Sequence, residues 1–227
     1  MDKNVTFASL FNPNFNTNMV ACPLCNADST IYTNLKNKTY YACPQCKGVF
    51  LDPNALPNSG AEKERYANHN NDINDEGYRN FVRPLVDAVT QACAPGQLGL
   101  DFGAGPGPVV STMLQEQGYS TVLYDPFFHN NPKVLERKYD YIISCEVIEH
   151  FFHPAREFSL LHSLLPLHGK LFCMTSVFFE HIDFASWYYK NDATHVFFYR
   201  PQTLHFICEK FAFANVHVDQ NLIIFTK

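Results

Sequence analysis

The stretch Leu98-Gly-Leu-Asp101-Phe-Gly103-Ala-Gly105-Pro-Gly107-Pro108 decides how this chain is read. A short apolar run closes at Asp101, three glycines follow at alternate positions, and V-V-S-T-M-L-Q-E-Q leads on to Gly118. The pattern predicts a strand over 98–102, a tight glycine turn and a helix over 108–117. Glycine suits such a turn because the backbone must bend sharply and a ligand must approach with no Cβ in the way. Unpaired N–H groups at the helix start then face the turn, a fitting place for a carboxylate or phosphate. About 20 residues on, T-V-L-Y-D-P-F-F closes the next apolar run at Asp125, where one carboxylate can accept from both hydroxyls of a ribose. The four features together predict a ribose-bearing ligand.

In dinucleotide-binding folds a third glycine lets the helix pack closely on the strand; here Pro108 stands in that place. The order Asp101-x-Gly103-x-Gly105-x-Gly107 resembles motif I of the class I S-adenosylmethionine (SAM)-dependent methyltransferases. Y-D-Y-I-I-S-C-E-V-I-E-H-F, from Tyr139 to Phe151, is similar to that family's fourth strand and following turn, and L-L-P-L-H-G-K-L-F-C-M-T-S to its passage into the fifth strand. The resemblance spans roughly 96–227. It implies an α/β, Rossmann-like, doubly wound and mostly parallel sheet with an antiparallel terminal hairpin. It also implies SAM as cofactor: Gly103 and Gly105 along its methionine and ribose, Asp101 holding the loop or meeting the amino group, and Asp125 on the ribose. Ala104, Gly107, Pro126, Cys145, Glu146 and Val147 complete that implied contact set. Tyr139 follows Asp125 too closely for the usual helix and third strand, so the family's adenine-contacting acidic residue has no counterpart here.

Across 227 residues with 21 Phe and a net charge of −5, no block of five like charges occurs. That gives no electrostatic footprint for a phosphate backbone, so nucleic acid is not an expected partner. With no secretory signal and no apolar run approaching about 18 residues, a cytoplasmic protein without a membrane span is expected. Eight cysteines suggest metal rather than disulfides. Cys22-Pro-Leu-Cys25 and Cys43-Pro-Gln-Cys46 have 17 residues between them, inside the zinc-ribbon window. Each pair can offer two thiolates to one structural Zn²⁺, with I-Y-T-N-L-K-N-K-T-Y-Y-A as the hairpin between. Two redox pairs or unused thiols are the alternatives. Cys93, Cys145, Cys173 and Cys208 lie in apolar contexts and read as plain buried thiols.

The expected organisation is an irregular tail over 1–21, the ribbon over 22–56, a helical linker or lid over 57–95 and the methyltransferase core over 96–227. In the linker, A-E-K-E-R-Y-A predicts a short helix. A second helix carries Phe81, Leu85 and Val89 on one face and ends at Pro95-Gly96. In the core, strands are expected over 121–125, 140–145, 170–175, 215–219 and 221–226. Helices are expected from Pro154, burying Phe158, Leu161 and Leu165, and from Pro201 to about Lys210.

Glu146, Glu149 and His150 fall at i, i+3 and i+4, so a helical turn there projects all three from one face. His195 follows the fifth strand. The pairing resembles two methyltransferase groups, the ubiquinone-pathway O-methyltransferases and the small-RNA 2′-O-methyltransferases, in which these positions bind a divalent cation. Glu146, Glu149, His150 and His195 are the matching residues, and their donor types suit Mg²⁺, Mn²⁺ or Zn²⁺. Acid–base or substrate-positioning roles for His150, His195 and Glu149 are the competing reading. The aromatic segment F-F-E-H-I-D-F-A-S-W-Y-Y-K-N-D offers Trp187 and Tyr188 as pocket lining, and Tyr66, His69 and Tyr78 read as a lid. The resemblance implies methyl transfer to an O, N or C nucleophile of a small molecule, oligomeric state being left open. One alternative is an RNA methyltransferase that uses the ribbon for recognition, since C-P-L-C before such a core resembles certain ribosomal-RNA guanine methyltransferases. Residues 1–60 hold four Lys and three Asp with no Arg, which leaves no basic patch for it. A non-catalytic SAM-binding scaffold is the other alternative.

Overall fold

The computed structural model describes residues 19–67 and 72–227. The ribbon supplies β1 (Val20–Ala21), β2 (Asp28–Leu35), β3 (Lys38–Ala42) and β4 (Val49–Leu51), followed by α1 (Ser59–Ala67) and α2 (Glu76–Ala92). Then come β5 (Leu98–Phe102), α3 (Val109–Gln115), β6 (Ser120–Tyr124), β7 (Tyr141–Cys145), α4 (Pro154–Ser163) and β8 (Lys170–Met174). The chain closes with β9 (Phe197–Phe198), α5 (Pro201–Lys210), β10 (Asn215–Asp219) and β11 (Leu222–Thr226).

Among the described residues the larger sheet has six strands in the order β10-β11-β8-β7-β5-β6. Strands β6, β5, β7 and β8 run parallel, and β11 returns antiparallel on β8 with β10 beside it. Helices cover both faces, so the central strands read as unbroken apolar runs. Tyr141 and Ile143 pack with Val82, Leu85, Val86 and Val89 of α2 and with α3. Ile142 between them packs the other way, with Phe158 and Leu161 of α4 and Leu204 and Ile207 of α5. Pro154 and Pro201 open their helices at the first position, where the missing N–H costs nothing.

Two sequence expectations need adjusting, while the absence of a strand after β6 is as the short spacing implies. Helix α3 spans seven residues rather than ten, with Pro108 as its uncapped start. Phe81 does not share the buried face of Leu85 and Val89; it is 42% exposed and turns toward the cleft described below. No strand forms between β6 and β7: the short link holds an Asp125–His129 bridge and a 3-10 turn over Pro132–Glu136, so β6 is a sheet edge.

The ribbon sheet is not self-contained. Its order is β1-β2-β3-β4-β9, so its last strand comes from the far end of the chain, with Val49 opposite Phe198 and Phe50 opposite Phe197. Leu24, Tyr41 and Phe50 share a hydrophobic cluster with Phe151, Phe158 and Tyr199 of the core.

Candidate active site

The glycine turn lies at the carboxyl ends of β5 and β6, beside the point where strand order reverses, the place where open α/β sheets bind ligands. Gly103 has φ +85° and Gly105 φ +63°, the left-handed region that costs other residues about 1–2 kcal/mol. The Gly103 and Ala104 N–H groups donate to the Tyr124 carbonyl at 2.8 and 3.1 Å, tying the turn to β6. A cleft of about 970 Å³ opens above it. All ten residues of the implied SAM contact set line this cleft: Asp101, Gly103, Ala104, Gly105, Gly107, Asp125, Pro126, Cys145, Glu146 and Val147.

Two carboxylates shape this half. Asp101 is buried and accepts from Ser111 Oγ at 2.6 Å; burial pushes its pKa up to about 7 against that hydrogen bond. Asp125 accepts from Gly105 N–H at 3.0 Å through Oδ2 and from the Phe127 and Phe128 N–H groups at 2.8 and 3.0 Å through Oδ1. A carboxylate has roughly four lone-pair sites, so Asp125 holds the turn and keeps a remaining site on Oδ2. Both hydroxyls of a ribose cannot be served by it as freely as the sequence suggests.

The other half of the cleft is built on the turn after β7. Glu146 takes a left-handed φ of +53° and only Ile148–His150 form a 3-10 turn. The expected helical face shared by Glu146, Glu149 and His150 therefore does not form. Glu149 is fully buried. The Tyr189 hydroxyl donates to its Oε1 at 2.6 Å and the Thr175 hydroxyl to its Oε2 at 2.9 Å. The same Tyr189 oxygen lies 3.1 Å from Glu146 Oε2 and 3.0 Å from Thr175 Oγ1. Two hydroxyl protons cannot serve all these contacts, and a protonated Glu146 supplies another. Burial, reinforced by the Glu149 charge, raises Glu146 to about 9. Burial also raises Glu149, opposed by His195.

Both imidazoles come together over Glu149. The rings of His150 and His195 lie 4.8 Å apart, and their Nε2 atoms are 3.8 and 3.9 Å from Glu149 Oε1. His150 Nδ1 meets the Thr194 carbonyl at 2.8 Å and His195 Nδ1 the Tyr189 carbonyl at 2.7 Å. A carbonyl only accepts, which assigns the proton to Nδ1 in each ring. Burial lowers the His195 pKa, partly offset by Glu149, so this imidazole is neutral at pH 7.

Tyr66 on α1 rests on Phe127 and His150, with ring centroids 5.7 and 5.2 Å away. Arg65 beside it donates to Asp192 Oδ2 at 2.6 and 3.0 Å. Tyr66 and Tyr78 line the cleft, as does Tyr188 at its mouth; His69 lies outside the described residues. Trp187 is a correction. Its ring stacks on Phe178 and packs against Phe184 and Phe198, and it does not face the cleft, because this apolar cluster buries it behind Tyr189. Tyr189, Thr175, Arg65 and Asp192 were not singled out from the sequence. The doubled Tyr188-Tyr189 was visible there, but nothing in an irregular segment tells which ring turns inward.

The four ribbon cysteines gather with their sulfur atoms within 4.8 Å of one another. Cys22 Sγ is 3.5 Å from Cys46 Sγ, and Cys25 Sγ 3.3 Å from Cys43 Sγ. A tetrahedral site with Zn–S of about 2.3 Å needs sulfurs about 3.8 Å apart, so this cage fits zinc. The two knuckles repeat one geometry: Asn26 and Lys47 are left-handed (φ +65° and +64°) and donate to the Cys22 and Cys43 carbonyls at 2.8 and 3.0 Å. Of the other cysteines, Cys173 is buried as expected, while Cys93, Cys145 and Cys208 are half-buried. Among the described residues no helix is long and apolar enough to cross a membrane.

Residues 74–218 match the family model described as a methyltransferase domain, and residues 21–58 match one described as a transcription factor zinc-finger. None of the curated proteins compared with the chain matches it. Among solved structures, the 1,6-didemethyltoxoflavin-N1-methyltransferase of Burkholderia thailandensis is 15% identical with a TM-score of 0.53, over 86% of this chain and 97% of that one. A SAM-dependent methyltransferase from Archaeoglobus fulgidus is 17% identical with a TM-score of 0.53, over 74% and 99%. An O-methyltransferase family protein from Burkholderia thailandensis is 12% identical with a TM-score of 0.51, over 73% of this chain and 61% of that one. These likenesses are of fold. With a methyltransferase-domain match over most of its length and a cysteine cage on its N-terminal strands, the chain belongs to the SAM-dependent methyltransferases and carries a zinc ribbon ahead of the catalytic fold.

Proposed function

We propose that this enzyme methylates an O–H or N–H group of a small, non-phosphorylated molecule, with His195 as the base. The observation that carries this reading is the His195 ring itself. Its Nδ1 proton is held by the Tyr189 carbonyl, burial keeps it neutral, and Nε2 faces the cleft beside buried Glu149. Glu149 stabilises the imidazolium that forms when Nε2 takes a proton. SAM, when bound, supplies an electrophilic methyl on a sulfonium. The residues of the chain align the acceptor and exclude water, which strengthens each charge interaction.

The walls set the class of acceptor. Glu62, Asp125, Glu157, Asp192 and a partly ionised Asp101 line the cleft beside protonated Glu146, against Arg65 and Arg156, and Arg65 is engaged by Asp192. A phosphorylated acceptor, RNA included, meets like charge there; a sulfonium does not. Tyr66 and Tyr188 offer ring faces to an apolar body.

One observation favours a second reading. Both imidazoles pin Nδ1–H on a backbone carbonyl and turn Nε2 toward one carboxylate, the outer-shell arrangement of metal-ligating histidines. A divalent cation at Glu149, His150 and His195, with Glu146 near, would then hold the acceptor oxygen in place of a base. Turnover of labelled SAM against pools of phenols and amines tests both readings. With His195 as base, His195→Gln lowers kcat by about 10²–10⁴, leaves S-adenosylhomocysteine binding unchanged, and chelation down to the ribbon zinc spares activity. Loss of activity on that chelation, restored by Mg²⁺ or Mn²⁺, selects the cation. SAM binding with no turnover across the pools selects the scaffold.

A further inference from the structure

Val196 stands between His195 and β9, and its two backbone groups face different parts of the molecule. Its N–H donates to the Glu149 carbonyl at 2.9 Å, and its carbonyl accepts from the Leu51 N–H at 2.9 Å. One residue thus joins the last ribbon strand to the turn that carries the buried carboxylate. Side chains follow the same path. Tyr41 stacks on Phe50 at 5.8 Å, Phe50 on Phe197 at 6.2 Å, and Phe197 packs on Tyr199 at 4.8 Å. The Tyr199 hydroxyl donates to the Ile148 carbonyl at 2.8 Å, one residue before Glu149.

The metal cage sits directly at the head of this path. The Cys43–Cys46 knuckle leads through Gly48 into β4, and Cys43 N–H donates to the Gly48 carbonyl at 2.9 Å. A Cβ on Gly48 would lie 2.5 Å from Phe197 Cζ and 2.8 Å from Phe197 Cε1. The knuckle and β9 are therefore in contact with no slack between them. The cofactor half is held differently: the glycine turn is fixed by Tyr124, Asp125 and Val147, none of which belongs to the ribbon.

We infer that the zinc ribbon is a positioning element for the acceptor half of the cleft and is dispensable for the cofactor half. Closing the cysteine cage sets β4; β4 sets β9 through Leu51–Val196 and Phe50–Phe197; and β9 sets His195 and Glu149 at their spacing. A ribbon serving only as a stability clamp, or only as a recognition module, would not separate the two halves. The catalytic limb of this inference rests on the His195 reading above; the structural limb does not.

The zinc-loaded full chain with Gly48→Ala tests it, since the added methyl displaces Phe197 while meeting Cys46 Sγ only at an ordinary van der Waals distance of 3.5 Å. Expected are one zinc retained per chain and S-adenosylhomocysteine affinity within about threefold of the parent by calorimetry. Amide exchange should speed up by at least about tenfold in peptides covering 193–198 and stay unchanged over 98–107. Adding Phe197→Leu, which removes the clashing ring atoms, should restore part of the protection. With any acceptor that turns over, kcat should fall while KM for SAM holds. Chelating zinc from the parent chain should reproduce the same split of exchange between 193–198 and 98–107, so a variant that fails to fold does not block the test. Equal loss of protection in both segments on zinc withdrawal, or no change over 193–198 in either experiment, overturns the inference. Protection lost over 193–198 with kcat intact refutes His195 as the base and leaves the coupling standing.

Discussion

Replacing Tyr189 by Phe removes one oxygen from the buried cluster it forms with Glu146, Glu149 and Thr175. That oxygen lies 2.6 Å from Glu149 Oε1, 3.0 Å from Thr175 Oγ1 and 3.1 Å from Glu146 Oε2. The ring stays where it is, packed on His195 at 4.1 Å and Trp187 at 5.3 Å, so little packing is lost. Glu149 keeps the Thr175 donor on its other oxygen at 2.9 Å but loses its shortest bond in a site without solvent. A hydrogen bond to a neutral acceptor contributes about 0.5–1.5 kcal/mol and one to a charged group about 1.5–3 kcal/mol, so a loss of about 1–3 kcal/mol in stability is expected at pH 8. The sign with pH follows from which form the hydroxyl serves. It stabilises the ionised form of Glu149, whose pKa burial already raises, and its removal raises that pKa further. The deficit therefore grows as pH rises through the folded-state pKa of Glu149 and shrinks as pH falls below it. Urea unfolding of the zinc-loaded chain at pH 5.5 and pH 8 measures both quantities, with midpoints compared at equal slope. A deficit under about 0.5 kcal/mol at pH 8, or a larger one at pH 5.5, would refute the reasoning.

Gly103→Ala meets two penalties, a left-handed φ of +85° and a Cβ 2.5 Å from Val147 Cγ2. It should cost about 2–4 kcal/mol, or weaken S-adenosylhomocysteine binding by about tenfold if the turn shifts instead; a silent variant in both melting and calorimetry refutes this. Asp101, raised to about 7 by burial, is half-protonated near neutrality, and a sulfonium favours its charged form. SAM binding should thus tighten as pH rises from 6 to 8 and release protons, with a weaker trend for S-adenosylhomocysteine. Calorimetry in buffers of different ionisation heat checks it, a flat profile counting against. Burial works against the Asp192 charge, yet Arg65 and Thr194 hold the carboxyl well below its usual range, so the clasp from α1 to Asp192 holds above the ordinary Asp pKa and is lost as pH falls through the lowered one. Arg65 is half-exposed, which limits the clasp to at most about 1 kcal/mol; Arg65→Met should speed amide exchange over 59–67, and unchanged exchange refutes the clasp.

The core elements are legible in the sequence because each strand buried on both faces is an apolar run bounded by Gly, Pro or Asp, and because Pro154 and Pro201 mark helix starts. The short link after Asp125 likewise announces the missing strand. Strand β9 is not legible, since two phenylalanines inside H-V-F-F-Y-R carry no period and their partner lies about 150 positions earlier, where only tertiary packing sets the pairing. In the site, the chemistry of E-V-I-E-H is readable but its geometry is not. The left-handed Glu146 breaks the helical spacing that would place three side chains on one face. The inward turn of Tyr189 and the outward packing of Trp187 are decided by how an irregular segment lies on the ribbon, and no local propensity encodes that.

The pairing of β4 with β9 also bears on how the protein is made. Val49, Phe50 and Leu51 are all buried in the finished fold, and the strand that pairs with their open edge arrives with Phe197 and Phe198. A chain synthesised from its N-terminus at about 5–20 residues per second waits roughly 7–30 s between the two segments. Through that interval the ribbon, with or without its metal, presents an apolar strand edge to the cell, the kind of surface that recruits other chains. Yield on expression should accordingly respond to chaperone supply and to lowered translation rate more than the stability of the mature enzyme would suggest.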